Sequence, residues 1–284
     1  MLVIKLLKYS VLFLLICSCS IYRFEDFDRL DKINKRRIKG IVLNAENVGA
    51  LDRSFFTVEN FKTQFPNLEI TSIHGDLNLE LILPCLVKTK HLNFYHARNL
   101  NGAPLTSLVD YESLIKIGFL ACDIDSLPPI CTEITDLSWI QIYESPNINH
   151  EQVFAVLANM KNLEVLYYEK NQLKQLPESI LRVRQLKSLN LNENQLTDLP
   201  ALDSLKYLYT VDVSWNSFTE YPLCLTNLRR DKRIDIVVAM NKIKKIPLSV
   251  FDRRYRIFNV YGNPLNTESL RLLDRRMKAK YETW

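Results

Sequence analysis

Glycine is scarce in this chain, with 6 among 284 residues, and proline is modest at 11. That excludes a collagen-like or linker-rich polypeptide. The few glycines also form no phosphate-cradling loop and no strained turn around a nucleophilic serine, so two common routes to catalysis are missing. Six cysteines are present, but none fall in the paired spacing of a zinc site. Charge of one sign is not in large excess. The formal net charge is +5, and the basic residues are scattered apart from "KRR" at 35–37 and "DRRMKAK" near the end. Such a bias does not point to nucleic acid. A hydrophobic content of 47% is ample for a large core.

The first twenty residues, "MLVIKLLKYSVLFLLICSCS", stand apart. Lys5 and Lys8 give a basic start, residues 10–16 are mostly apolar, and small residues follow. That order is the order of an export signal. The apolar run is too short and too interrupted by lysine for a spanning helix, which needs about 20 apolar residues. The ending "ICSC" resembles a bacterial lipobox, with Cys19 as the residue that takes the lipid, since Ser18 is small and Ile16 is not. An ordinary signal or an uncleaved anchor is the alternative. Cleavage before Cys19 would remove Lys5 and Lys8 and leave Cys85, Cys122, Cys131 and Cys224 further along. Their irregular spacing predicts four free thiols.

A repeat dominates the rest. In "LKSLNLNENQLTDLP", from Leu186, leucines fall at 186, 189, 191, 196 and 199. Neither a helix nor a strand keeps that spacing for long. "LEVLYYEKNQLKQLP", "LYTVDVSWNSFTEYP", "RIDIVVAMNKIKKIP" and "YRIFNVYGNPL" are built alike. Their asparagines, Asn171, Asn194, Asn216, Asn241 and Asn263, step by 23, 22, 25 and 22 residues, a solenoid period. "LIKIGFLACDIDSLP" puts Cys122 in the asparagine place. Weaker copies end at Ser145, Ala97, Ile73 and Glu46. These copies resemble the leucine-rich repeat family, whose motif is L-x-x-L-x-L-x-x-N-x-L.

The resemblance implies an α/β solenoid: a curved parallel sheet of about ten short strands, an irregular or helical convex side, and helical caps. The spacing fits. Leu189 and Leu191 share one side of a strand, and Asn194 turns the chain with its buried amide. Leu196 and Leu199 then re-enter the core. Where Ala97, Ile73 and Glu46 replace the asparagine, less regular turns are expected. The expected boundaries are a signal at 1–18, an anchor and cap at 19–37, the array at 38–265 and a capping helix at 266–284. Phe24, Phe27, Leu30 and Ile33 suit the first cap. Leu270, Leu273, Met277, Tyr281 and Trp284 form an apolar stripe at helical spacing for the second, after a helix start capped by Asn266 or Thr267.

Residues alternating with the core leucines should face outward on the concave side. They include Tyr95, Leu120, Trp139, Tyr143, Tyr167 and Trp215, with polar Asn93, Gln141, Glu169, Asn190, Asn192 and Asp212 among them. Aromatics ringed by polar groups suit a protein-binding patch. Tyr143 and Tyr167 are expected side by side. His91 and His96 flank a strand near Glu69 but need not converge on a metal, and neighbouring acids such as Glu169, Glu193 and Asp212 lie on an open sheet that excludes little water. No cofactor, metal or catalytic activity is therefore expected. The expected protein is a monomer, anchored to a membrane of the cell envelope through Cys19, that binds a protein ligand. The alternative is a scaffolding envelope protein without a dedicated ligand.

Overall fold

The computed structural model describes residues 21–23, 34–45, 48, 53–98, 100, 103–111, 113–145, 147–228, 233–252 and 254–281. Eleven strands form one parallel sheet in strict chain order. They are β1 (Ile21–Arg23), β2 (Gly40–Asn44), β3 (Ile70–His74), β4 (His91–Tyr95), β5 (Lys116–Leu120) and β6 (Trp139–Tyr143). The rest are β7 (Val165–Glu169), β8 (Ser188–Asn190), β9 (Thr210–Asp212), β10 (Ile234–Val237) and β11 (Tyr255–Asn259). This is the α/β leucine-rich repeat solenoid. Ten of the strands are the ten repeat copies; β1, inside the 19–37 segment, is an eleventh that the repeat pattern does not contain. Cys19 and the apolar positions 24, 27, 30 and 33 lie outside the described residues, as does Glu46.

The return segments are short helices and helical turns. They comprise α1 (Val58–Gln64), α2 (Leu79–Ile82), α3 (His150–Leu157), α4 (Cys224–Asn227) and 3-10 turns such as Ala103–Asp110 and Glu178–Arg182. These are bulkier than the strands, which sit about 4.8 Å apart, so the stack bends around the sheet. Between the two layers the leucine positions are sealed: Leu166, Leu189, Leu191, Leu196, Val211 and Val213 are all fully buried. Tyr168 occupies a leucine place and is also buried, its hydroxyl 2.6 Å from Nδ1 of His150 at the start of α3. The four described cysteines are unpaired, with Cys85, Cys122 and Cys131 buried. Burial pushes the thiol of Cys85 up to about 11 and that of Cys131 up to about 12.

At the end of each strand from β3 to β11 the chain enters the left-handed region. The residues are Gly75, His96, Ala121, Glu144, Lys170, Glu193, Trp215, Met240 and Gly262. Seven are not glycine and so carry a steric penalty of about 1–2 kcal/mol. The reversal is held because each of the first eight donates its N–H to a carbonyl of the next coil, at 2.7 to 3.1 Å. The next residue in the chain is the asparagine place. Asn194 is the pattern: Nδ2 donates to Tyr168 O at 2.7 Å and Leu191 O at 3.0 Å, and Oδ1 accepts from the N–H groups of Asn171 and Leu173 at 3.0 Å. Asn171, Asn216, Asn241 and Asn263 repeat the bond to the preceding coil. Cys122 points inward and keeps the donor half, with Sγ 3.4 Å from Phe94 O.

Three expectations need correction. Asp76, not Ile73, holds the asparagine place of its coil: Ile73 pairs with Phe94 inside the strands and is fully buried. Asp76 is exposed and accepts from Arg98 N at 2.6 Å. Nor are the turns after β3 and β4 less regular: Gly75 and His96 take the same left-handed step as the later coils, while the turn at Glu46 lies outside the described residues. Strands β2 to β7 each run five residues, while β8 and β9 run three. Main-chain pairing and buried aliphatics suffice to order them without the amide. The final helix, α5 (Thr267–Tyr281), is capped by Asn266 as expected, yet Leu270 is 54% exposed and Leu273 half-buried. The fully buried residue is Ser269, whose hydroxyl accepts from Ile246 N at 2.9 Å. Side chains 276–284 lie outside the described residues.

Asn192, expected to face solvent, is half-buried, but its Oδ1 has no partner. Replacing Asn194 with alanine should therefore cost about 1–3 kcal/mol, and replacing Asn192 under about 0.5 kcal/mol. Urea denaturation measures both, and equal losses would contradict the ladder.

Candidate functional site

Strand register sorts the outward side chains of the concave face into three rows. The first runs Ile70, His91, Lys116, Trp139, Val165, Ser188, Thr210, Asp235. The second runs Ser72, Asn93, Gly118, Gln141, Tyr167, Asn190, Asp212. The third runs His74, Tyr95, Leu120, Tyr143, Glu169. Tyr143 is therefore opposite Glu169, and Tyr167 opposite Gln141. The two tyrosines are offset by two residues and do not stand side by side, because Tyr143 lies two residues before the asparagine place of its coil (Ser145) and Tyr167 four before Asn171.

The aromatic residues form two groups instead of one patch. In the third row the His74 ring stacks on Tyr95, with centroids 4.5 Å apart and planes at 15°. Leu120 follows between Tyr95 and Tyr143. It faces outward as expected but is only 7% exposed, held between its neighbours. Gly118, on the same strand, makes this possible: a Cβ there would lie 2.6 Å from Asn93 Oδ1 and 3.0 Å from Leu120 Cδ1. Tyr143 carries the Lys170 ammonium 5.5 Å from its ring centre, and Lys170 also pairs with Glu144 at 2.7 Å. The second group is Trp139 and Tyr167, edge to face at 5.4 Å, with Lys116 Nζ 4.3 Å over the indole. The Nε1 of Trp139 is buried without an acceptor. Trp215 is not on the strand face at all. It lies beyond β9 in the left-handed column at the rim, 52% exposed.

Between the two aromatic groups runs a polar chain across four coils. Lys116 Nζ donates to Gln141 Oε1 at 2.8 Å, and Gln141 Nε2 donates to Glu169 Oε2 at 3.3 Å. Asn190 Nδ2 donates to Glu169 Oε1 at 2.8 Å, and Asn190 Oδ1 accepts from Asn192 N at 3.0 Å. The ammonium at one end sets the orientation of the Gln141 amide, and the accepting oxygens of Glu169 set that of Asn190. Glu169, expected at an exposed edge, is 8% exposed. Burial, with a smaller contribution from Asp212 and Glu193, pushes its carboxyl up to about 7 against the hydrogen bond from Gln141. Burial also raises Asp212, although Ser214 donates to it from N at 2.8 Å and Oγ at 2.5 Å. Sequence reasoning named Gln141, Glu169 and Asn190 but missed Lys116, Gly118 and His74. Their signal was alternation alone: Gly118 and Lys116 lie two and four residues before Leu120 on one strand, and His74 pairs with Tyr95 of the next.

Elsewhere on the face, Glu69 is held below the usual carboxylate range by the Lys90 ammonium 3.0 Å away. Among the described residues no group of three His, Cys, Asp or Glu gathers as metal ligands, and no helix is long and apolar enough to cross a membrane. The face offers hydrogen bonds, ring surfaces and a carboxyl near neutrality.

No family model matches the chain. Part of the chain is similar to curated vertebrate proteins. Toll-like receptor 2 of Ovis aries is 28% identical over 124 residues, 44% of this chain and 15% of that protein. Transforming growth factor beta activator LRRC33 of Danio rerio is 29% identical over 99 residues, 34% of this chain and 14% of that protein. The chain thus spans about a seventh of these relatives. Among solved structures, an LRR protein of Leptospira interrogans superposes with a TM-score of 0.56 at 17% identity, over 84% of this chain and 64% of that one. An internalin of Listeria monocytogenes gives 0.54 at 17% identity, over 76% and 60%. The plant peptide hormone receptor RGFR1, in complex with RGF2, gives 0.50 at 17% identity, over 81% and 37%.

The raised value of Glu169 has a consequence for stability. Its folded value of about 7 stands above the ordinary 4.5, so the folded state holds the proton more tightly. That stabilisation is complete below about pH 4.5 and is lost as pH rises through about 7. The buried carboxylate should then cost about 2–3 kcal/mol. Glu169→Gln should raise stability at pH 8 by about that much more than at pH 4.5. Urea denaturation at the two pH values tests this, and an equal effect at both would contradict it.

Proposed function

Because the chain is a leucine-rich repeat protein, we propose that it works as a protein-binding module, with the concave sheet as its docking face and a lipid on Cys19 as its membrane anchor. The observation that carries the binding reading is the third row. Tyr95, Leu120 and Tyr143 stand shoulder to shoulder on the sheet, with one end stacked by His74. Their side chains add nothing to the solenoid core, which is filled from the other face. They are also already constrained by their neighbours, so little rotamer freedom is lost when a partner covers them. Large, ordered ring surfaces flanked by polar groups are the usual anchors of interfaces. Tyr167, Trp139 and Glu169 make the second part of the same face, and Trp215 is placed at its rim. The RGFR1 complex with RGF2 supports the reading by example, since that protein holds a peptide hormone on a related fold.

Replacing Tyr95 and Tyr143 together with alanine should weaken capture of a partner by roughly thirtyfold or more, the effect of about 2 kcal/mol or more at an anchor. The fold should survive. Glu178→Ala, on the return side, is the control. Affinity capture from cells with mass spectrometry, followed by titration of the captured partner, makes the comparison. A partner held equally by both variants would favour a scaffolding role instead.

Anchoring rests on the sequence, where the basic, apolar and small segments end at Cys19. Cys19→Ser should abolish incorporation of labelled fatty acid and release the chain from membranes. Equal labelling of the wild type and the variant would remove Cys19 from the reading.

A further inference from the structure

Two carboxylates on the concave sheet are nearly sealed from water, and they are treated differently. Asp235, on β10, is 4% exposed, and the next coil supplies its cation: Arg256 from β11 donates Nε to Oδ1 at 2.8 Å and Nη2 to Oδ2. Glu169, on β7, is 8% exposed, and its two partners are the neutral amides of Gln141 and Asn190. Among the described residues it forms no ion pair. The Lys116 ammonium stops at Gln141 one coil short, and that of Lys170, over the Tyr143 ring, is paired with Glu144. The nearby charges on the C-terminal side, Asp212 and Glu193, are of its own sign. A buried carboxylate with polar partners but no cation is electrostatically incomplete.

We propose that Glu169 is the receiving group for a lysine or arginine side chain of the protein ligand, which completes on this coil the pair that Arg256 completes for Asp235. The inference rests on the concave-face binding reading. The occupant is a segment of a partner protein presenting a cation, and its complement is the charge arrangement of the face. Tyr143 lies opposite Glu169 on β6, and its ring already carries one ammonium, that of Lys170, so it is a favourable wall for a cation. Lys116 lies two strands away, about 10 Å at ordinary strand spacing, and repels a cation misplaced toward the N-terminal coils. The bound cation would also hold Glu169 ionised, so binding should be coupled to its proton. The groups around that proton are Gln141 from β6, Asn190 from β8, Tyr143 opposite with Lys170 over its ring, Tyr167 on the same strand, Lys116 on one side, and Asp212 and Glu193 on the other.

The test uses the full chain, immobilised, and a display library of random linear peptides of about a dozen residues. Enriched peptides should share a lysine or arginine. Replacing that residue with glutamine, or Glu169 with glutamine in the protein, should each weaken binding at least tenfold, and the two changes together should cost little more than either alone. Affinity should fall between pH 8 and pH 5.5 for the wild type and not for Glu169→Gln. Thermal melting at pH 8 shows whether that variant is folded, and Asp212→Asn provides a second, milder reduction of the same negative charge. Peptides that bind without a basic residue, or that bind Glu169→Gln with unchanged affinity or an unchanged pH profile, overturn the assignment while leaving the binding face in place. A library that yields no peptide above an empty surface counts against the binding face and the assignment together. Glu178→Ala, expected to match the wild type, separates the two cases.

Discussion

The solenoid depends on how each coil disposes of its backbone polar groups at the end of a strand. The chain must reverse there inside a packed stack, where an unpaired amide costs about 1–3 kcal/mol. Two devices act in succession. A left-handed residue turns the backbone so that its N–H reaches the next coil, and an asparagine amide then bridges to the coil before. The left-handed residue recurs after nine strands, from Gly75 to Gly262, and the first eight donate to the next coil. The second is complete only from Asn171 onward. Ser145 keeps a hydroxyl without a partner, Cys122 keeps a weak donor, and Ala97 offers neither. The early strands nevertheless remain five residues long. The left-handed turn and the leucine core are therefore primary, and the amide reinforces them.

Fixing the backbone this way fixes the outward rows as well. Parallel pairing without a shift from β2 to β9 places every outward residue opposite its equivalent on the next coil. At strand spacing such neighbours touch, so the face is a row-by-row packing problem of its own. Gly118 answers it by leaving room for Asn93 and Leu120, and His74 and Tyr95 by stacking. The register shift between Ile234 and Asp235, at the last pairing, coincides with the place where Arg256 reaches back to a buried carboxylate.

The fold was legible because its signal is redundant. Five asparagines at a steady step, each preceded by two apolar residues spaced two apart such as Leu189 and Leu191, leave one architecture. The terminal regions were less legible because a cap has no repeat to average over: helix α5 buries Ser269 through a hydroxyl bond and leaves Leu270 in water, which a stripe of apolar residues does not foretell. The face was half legible. Alternation correctly turned Tyr95, Leu120, Trp139, Tyr143 and Tyr167 outward. It did not give the neighbours of each, because each five-residue strand has three outward positions and alternation does not say which row a ring occupies. Tyr143 and Tyr167 were separated by that offset, and Trp215 fell past the end of its strand.

Side-chain reach between coils was beyond alternation altogether. Lys116, Gln141, Glu169 and Asn190 come from four strands and span more than seventy residues of sequence, yet they form one continuous chain of hydrogen bonds. Its direction is set by Lys116 and Glu169. An ammonium cannot accept, so Gln141 must turn its oxygen toward Lys116 and its nitrogen toward Glu169. A carboxylate cannot donate, so Asn190 must also present its nitrogen. The face consequently has an electrical order along the stack, with cationic Lys116 on the N-terminal side and Glu169, Glu193 and Asp212 toward the C-terminal side. A ligand laid across the coils in one direction meets opposite charges, and the same ligand reversed meets like ones. Orientation is thereby built into the sheet before any ring contact is made.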